Sequence, residues 1–186
     1  SDNLLILKKL SEFKNLGKKP SDEIFKELCF CLLTANFNAA RAIKIQKEIG
    51  DGFLNLPEKK LAEKLRALGH RYPNVRAKYI IKARIHVRCR TPHMDRDWLV
   101  KNIKGLGYKE ASHFLRNIGH ENFAIIDFHI IDLLVRYNLV LRPKYLTRAK
   151  YFEIENLLRK IAKKSDLTLA ELDLYLWYME TGKILK

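Results

Sequence analysis

Two side chains of this 186-residue chain, Lys109 and Asp127, combine types and spacing that could do chemistry. Lys109 stands two residues after Gly107 in the run Ile103-Lys104-Gly105-Leu106-Gly107-Tyr108-Lys109-Glu110-Ala111-Ser112, inside the first turn of the helix that this run opens. The N-terminal end of a helix dipole is positive, so an ammonium there sits at the unfavourable end. Burial would act in the same direction, and both favour the neutral amine, the form that attacks carbon. Asp127 follows eighteen residues later, after the apolar run Phe123 to Ile126 and directly before the helical run Phe128 to Tyr137. Taken alone, Asp127 reads as an ordinary N-cap, and Lys109 reads equally well as a contact to phosphate. Taken together, they describe a nucleophilic amine beside a carboxylate able to stabilise developing positive charge.

The elements that must position this pair are legible around it. A helix with Trp98, Leu99 and Ile103 runs into Gly105-Leu106-Gly107, and a second helix begins at once. Two glycines around one apolar residue allow a tight turn while Leu106 plugs the core below. The amides of Gly105 and Gly107, at the positive end of the new helix, can hold a backbone phosphate. Elsewhere the apolar spacing is helical almost throughout. Ser21 reads as an N-cap before Asp22, Glu23 and the apolar run Ile24 to Leu33. Gly50, Gly69 and Gly182 read as helix stops, and Pro57 and Pro73 as first helical residues. Thr147 opens a helix with Tyr151, Ile154, Leu158 and Ile161 on one face, and Thr168 with Glu171 forms a capping box. That last helix carries Leu172, Tyr175, Leu176 and Met179 as its apolar residues. Phe123 to Ile126 is strand-like, and Ile85 to Met94 has weaker helical character. The expected class is all-α, with about ten short helices. They form a single unit of two lobes that share a cleft: residues 21–140, with the hairpin at 98–118, and residues 1–20 plus 141–186.

Length and composition bound the partners. The chain is slightly longer than one domain of about 150 residues, and 47% hydrophobic with 31% charged residues describes a globular protein. No apolar run approaches a membrane span, and the opening residues lack a signal peptide's cleavage site. Cys29, Cys31 and Cys89 match no disulfide or zinc pattern and read as reduced thiols. The formal net charge is +15. From Lys59 to Arg90 eleven bases face one acid, Glu63, and from Arg142 to Lys164 eight bases face two acids. A heat-adapted surface would carry Glu beside Lys, and Glu is missing from the most basic segment. Phosphate binding explains the charge better. Charge alone does not separate DNA from RNA or from an acidic membrane face.

At the level of motifs, IKGLGYKEASHFLRNIG followed by FAIIDFHIIDLL resembles the helix-hairpin-helix DNA glycosylase superfamily. LLTANFNAARA, LGHRYPNVRAKYI and the closing WYMETGKILK extend the likeness over most of the chain, and resemble more closely the archaeal-type, second-class 8-oxoguanine DNA glycosylase/AP lyases. The endonuclease-III-like members hold an iron–sulfur cluster on four cysteines near the C-terminus. Here the last cysteine is Cys89, which excludes that subclass.

The resemblance implies a helix-hairpin-helix fold whose Lys109 attacks C1′ of a flipped nucleotide, with Asp127 as its electrostatic partner. The amine then forms a Schiff base, and β-elimination cuts the strand. It implies a base pocket of Trp177, Tyr72, His113 and Lys186, the last through a main-chain carboxylate. Phe128 is a further stacking candidate that reads more readily as a core aromatic. Such a pocket suits the lesion, because 8-oxoguanine carries at N7 a hydrogen that guanine lacks, and a fixed acceptor beside it rejects guanine. DNA contacts are expected from Gly105, Gly107, Asn36, Phe37, Asn38, Arg76 and His129, with Arg76 a candidate for the widowed cytosine or for phosphate. His70, His86, His93 and His120 read as solvated or locally bonded. No cofactor and no metal are expected. The expected partner is duplex DNA containing 8-oxoguanine, with no membrane, for a monomer in the cytoplasm at a prokaryotic or archaeal nucleoid. The same scaffold acting on another damaged or mismatched base, a non-catalytic hairpin module that holds DNA, and a structural RNA-binding protein are the alternatives.

Overall fold

The computed structural model describes residues 2–88 and 95–186. Among them the chain forms eleven helices and no strand. They are α1 (Asp2–Leu16), α2 (Ser21–Thr34), α3 (Ala39–Ile49), the single turn α4 (Gly52–Asn55), α5 (Glu58–Ala67) and α6 (Pro73–Arg88). Then come α7 (Arg96–Asn102), α8 (Tyr108–Asn117), α9 (Phe128–Arg136), α10 (Arg148–Lys164) and α11 (Leu169–Thr181). α6 covers the first part of the weakly helical 85–94 stretch; Cys89 and His93 lie outside the described residues.

α2 is apolar nearly all round, and a helix of that kind must be central. Every residue from Glu27 to Thr34 is buried, packed by α3, α6 and α8. Cys29 and Cys31 are free thiols within this core, and burial raises both well above the usual thiol range. A second cluster joins Ala124, Ile126 and α9 to α10 and the start of α11. A third joins Ile6, Leu10 and Phe13 of α1 to Ala170 and Leu174 of α11. α11 is therefore buried on two faces, although Met179, expected among its apolar contacts, is exposed. α1 packs against α11, which brings the first and last helices together. Residues 124–135 pack with α10 and α11.

Capping follows local rules. Thr147 accepts from the Lys150 amide, Thr168 and Glu171 form the reciprocal capping box, and Gly182 ends α11 in the left-handed region. Two boundaries shift by one residue: Pro20, not Ser21, is the N-cap of α2, and Pro57 is the N-cap of α5 rather than its first residue. In the hairpin, Gly105 has φ +97°, and a Cβ there would lie 2.3 Å from the Tyr79 ring, so both conformation and space require glycine. Leu106 is buried in the α2 core as expected.

The strand-like run 123–126 is neither helix nor strand and pairs with no strand among the described residues. Side chains of α10 take the place of a ladder. The Ala124 amide donates to Glu155 Oε2 at 2.9 Å, the Tyr151 hydroxyl donates to the Ala124 carbonyl at 2.6 Å, and the same hydroxyl accepts from the Ile126 amide at 3.2 Å. Glu155 is in turn gripped by both terminal nitrogens of Arg96, at 2.5 and 2.8 Å, with the guanidinium between the Phe123 and Phe152 rings. This buried frame holds the segment that delivers Asp127. No helix among the described residues is long and apolar enough to cross a membrane.

Candidate active site

Lys109, Asp127, His113, Trp177 and Lys186 line one cavity of about 660 Å³. Three helix ends or faces supply its walls. On α8, Lys109, His113 and Arg116 follow the i, i+4, i+7 spacing of one stripe. Asp127 is the N-cap of α9, its Oδ1 accepting from the Ile130 amide at 3.0 Å. On α11, Asp173, Trp177 and Thr181 are four residues apart along one face. The turn Asn36-Phe37-Asn38 between α2 and α3 and the segment after α11 complete the rim. The described residues gather no group of three or more His, Cys, Asp or Glu that could hold a metal ion.

Lys109 lies in the first turn of α8, as its spacing from Gly107 requires, but its burial is partial. Its side chain keeps 26% of its exposure, and Nζ lies 3.8 Å from Glu110 Oε1. Glu110 also accepts the Gly107 amide, Oε2 at 3.0 Å. The amide expected to hold a phosphate is thus taken by a carboxylate of its own helix, the N3 half of a capping box.

The polar groups of the pocket floor are unusual in their pairing. Both ring nitrogens of His113 and the Trp177 Nε1 are buried with no hydrogen-bond partner in the protein. Burial first, then the positive charges of Arg116 and Lys109, hold His113 well below the usual histidine range, so its ring is neutral. The Lys186 main chain is near enough to oppose that shift, although it stays outside hydrogen-bond geometry. Buried polar atoms are normally satisfied, and three orphans facing one cavity are atoms available to a ligand. His129 meets Trp177 edge to face at 5.6 Å and stacks on Phe128 at 4.4 Å. Phe128 is 63% exposed at the cavity mouth, not a core aromatic, because the N-terminus of α9 projects from the second cluster.

Tyr72 and Arg76 are not among the residues lining this cavity. Arg76 is buried, its guanidinium donating to the Ala35 carbonyl at 2.7 Å and lying 5.4 Å from the centre of the Tyr72 ring. The Tyr72 amide donates to His70 Nδ1 at 3.0 Å, and His70 Nε2 lies 3.0 Å from the Leu33 carbonyl. The His70 ring stacks on Phe37 at 4.2 Å. The pair therefore braces the 35–38 turn from behind. In that turn Asn36 adopts φ +53°, and Asn38 caps α3 through the Arg41 amide.

Arg116 and Asp173 were not singled out by sequence. They form a buried ion pair at 2.6 Å across α8 and α11. Burial, reinforced by the charge of Asp127 and opposed by Arg116, pushes the Asp173 carboxyl up to about 6. The helical stripe that contains Lys109 and His113, and the one that contains Trp177, would have pointed to both.

Known proteins resemble this chain in sequence and in fold. A family model described as 8-oxoguanine DNA glycosylase matches residues 6–167. The chain is 54% identical over 190 residues to the 8-oxoguanine DNA glycosylase/AP lyase of Methanocaldococcus jannaschii, covering 98% of this chain and 92% of that protein. It is 51% identical to the protein of the same description from Korarchaeum cryptofilum, covering 98% and 90% respectively. The crystal structure of the Methanocaldococcus jannaschii enzyme with a 15mer DNA containing 8-oxoguanine superposes with a TM-score of 0.95 at 52% identity, covering 99% of this chain and 93% of that one. The hairpin, the lysine after it and the capping aspartate thus stand in a chain that belongs to the helix-hairpin-helix 8-oxoguanine DNA glycosylase family.

Proposed function

We propose that this chain excises 8-oxoguanine from duplex DNA and then cuts the abasic strand, acting as a monomer on the nucleoid in the cytoplasm. One observation carries the mechanism: Lys109 and Asp127 line a single cavity whose floor holds the unpartnered His113 and Trp177 nitrogens. The relatives that share the fold are described as 8-oxoguanine DNA glycosylase/AP lyases.

The target bond is unreachable inside a duplex, so the nucleotide is flipped into the cavity. The Lys109 amine attacks C1′. The C1′–N9 bond breaks, its electron pair leaves with the base, and the base takes up a proton. The sugar gains positive charge during this step, and Asp127 stabilises it, one oxygen held by the Ile130 amide and the other left for the substrate. Opening of the sugar gives a Schiff base at Lys109. The imine acidifies the 2′ hydrogen, whose loss expels the 3′ phosphate and cuts the strand. Trp177 stacks on the base, and the Lys186 main chain with neutral His113 supplies acceptors for its N7–H. Asn36, Phe37 and Asn38 enter the space that the base leaves. Arg76 and Tyr72 act on the opposite strand through the turn they brace, and the Gly105 and Gly107 turn with His129 approaches the backbone.

Borohydride trapping on a duplex carrying 8-oxoguanine tests this. Wild type forms a covalent adduct and Lys109→Gln none; an adduct in the variant would move the nucleophile elsewhere. Asp127→Asn keeps an N-cap residue and so isolates the charge. Its turnover falls by ~10²–10⁴-fold with DNA binding retained.

A further inference from the structure

Glu27 lies in the most apolar stretch of α2 and is 2% exposed. Its Oε1 accepts from Asn117 Nδ2 at 2.7 Å, and its Oε2 accepts from Gln46 Nε2 at 3.1 Å and from Lys186 Nζ at 2.8 Å. The Lys186 ammonium also donates to Gln46 Oε1 and sits 4.3 Å from the centre of the Phe30 ring, whose neighbour at 5.5 Å is His113. Lys186 is separated from α11 by the irregular strap 182–186, which Gly182 turns at φ +65°. Lys183, Leu185 and Lys186 of that strap line the cavity.

A short irregular segment with few backbone bonds is by default mobile, and a wall that moves cannot select between two bases. A buried carboxylate is in turn an expensive way to fill a core, and an apolar residue of similar volume does that better. The two oddities explain each other: the carboxylate provides a charged anchor inside the core for the ammonium at the far end of the strap.

We propose that Glu27 is a specificity-determining positioning residue, which clamps the Lys186 ammonium and so fixes the 182–186 strap as a wall of the base pocket while touching neither base nor sugar. This rests on the reading of Lys186 as part of the base pocket. The clamp matters for removing a base and not for cutting an abasic site, where no base is present.

The test compares two rates in one protein: excision from a duplex with 8-oxoguanine, and incision of a preformed abasic duplex. In Glu27→Gln, whose folding is checked by thermal unfolding, the ratio of excision to incision falls on the order of 10–100-fold, as expected for a displaced pocket wall. Lys186→Gln, which leaves the α2 core intact, lowers the ratio similarly, and the double variant is no worse than the stronger single one. An unchanged ratio in either folded variant, or an equal loss of both rates, overturns the proposal; if Glu27→Gln does not fold, Lys186→Gln decides alone. Amide hydrogen exchange in the free protein reads the clamp without catalysis: residues 183–186 exchange faster in Glu27→Gln, and unchanged exchange overturns the clamp. A wild type that forms no trapped adduct while this exchange difference persists counts against the catalytic reading instead.

Discussion

Lys109, His113 and Arg116 share one stripe of α8, yet each meets a different electrostatic environment. Lys109 is partly solvated beside Glu110, His113 is held neutral, and Arg116 is buried against Asp173 and stacked over the Phe13 ring at 4.7 Å. The stripe therefore grades from a partly solvated amine at the mouth to a fixed charge at the floor. Asp173 gives this a measurable consequence. Its carboxyl is raised from 3.8 to about 6, so the folded chain keeps a proton that the unfolded chain releases. The resulting stability is present below about pH 4 and is lost as pH rises through about 6. In Asp173→Asn that dependence disappears. At about 1.4 kcal/mol per pKa unit, the variant's stability relative to wild type rises by on the order of 1–3 kcal/mol between pH 4 and pH 7. Urea denaturation across that range measures the difference; a gap independent of pH means that the Arg116 charge fully offsets the burial of the Asp173 carboxylate.

Among the elements, the 123–126 segment shows how a backbone without a sheet is held in place. The Tyr151 hydroxyl, Glu155 and Arg96 supply what a neighbouring strand would have supplied, and the next residue is Asp127. Tyr151→Phe keeps the ring but leaves the Ala124 carbonyl and the Ile126 amide without this partner. Each of these two buried backbone groups left unpaired costs about 1–3 kcal/mol, and the looser segment no longer aims Asp127. We expect a lower midpoint in urea and slower single-turnover excision, with DNA affinity unchanged. A variant as stable as wild type would mean that Glu155 and packing hold the segment without the Tyr151 hydroxyl. The β-branched, apolar character of this run makes its departure from helix legible from sequence. Its partner is not, because the groups that satisfy it lie on a helix some thirty residues away, in a position that only folding defines.

Across the whole molecule, the +15 charge is not spread evenly over the functional surface. Of the bases in the densest segment, Lys59, Lys60, Lys64, Arg66, Arg71, Lys78 and Lys82 are exposed, whereas Arg76 is buried and Arg84 binds the Phe53 and Gly52 carbonyls. The segment is thus partly structural, and its exposed part is what phosphates can meet. For roughly four to six phosphate contacts, DNA affinity falls about 10²–10³-fold between about 50 and 200 mM salt. Arg71, exposed at the cavity rim, is expected to be one of these contacts. Arg71→Gln lowers the slope of log affinity against log salt by about 1, read by fluorescence anisotropy with duplex DNA. A slope unaffected by the change removes Arg71 from the interface.

Caps, stops and the glycine turn were readable from the chain itself, because each depends on backbone preferences and hydrogen bonds within about four residues. For the same reason the places of Lys109 in the first turn of α8 and of Asp127 at the head of α9 followed from spacing. Tertiary structure alone decided which side chains became partners. Arg116 meets Asp173 across 57 residues and Lys186 meets Glu27 across 159, while Tyr72 and Arg76 turn to brace a loop and Phe128 stays at the mouth of the cavity. Those pairings depend on how helices pack against one another, and helical periodicity says which face is buried without saying what lies opposite it.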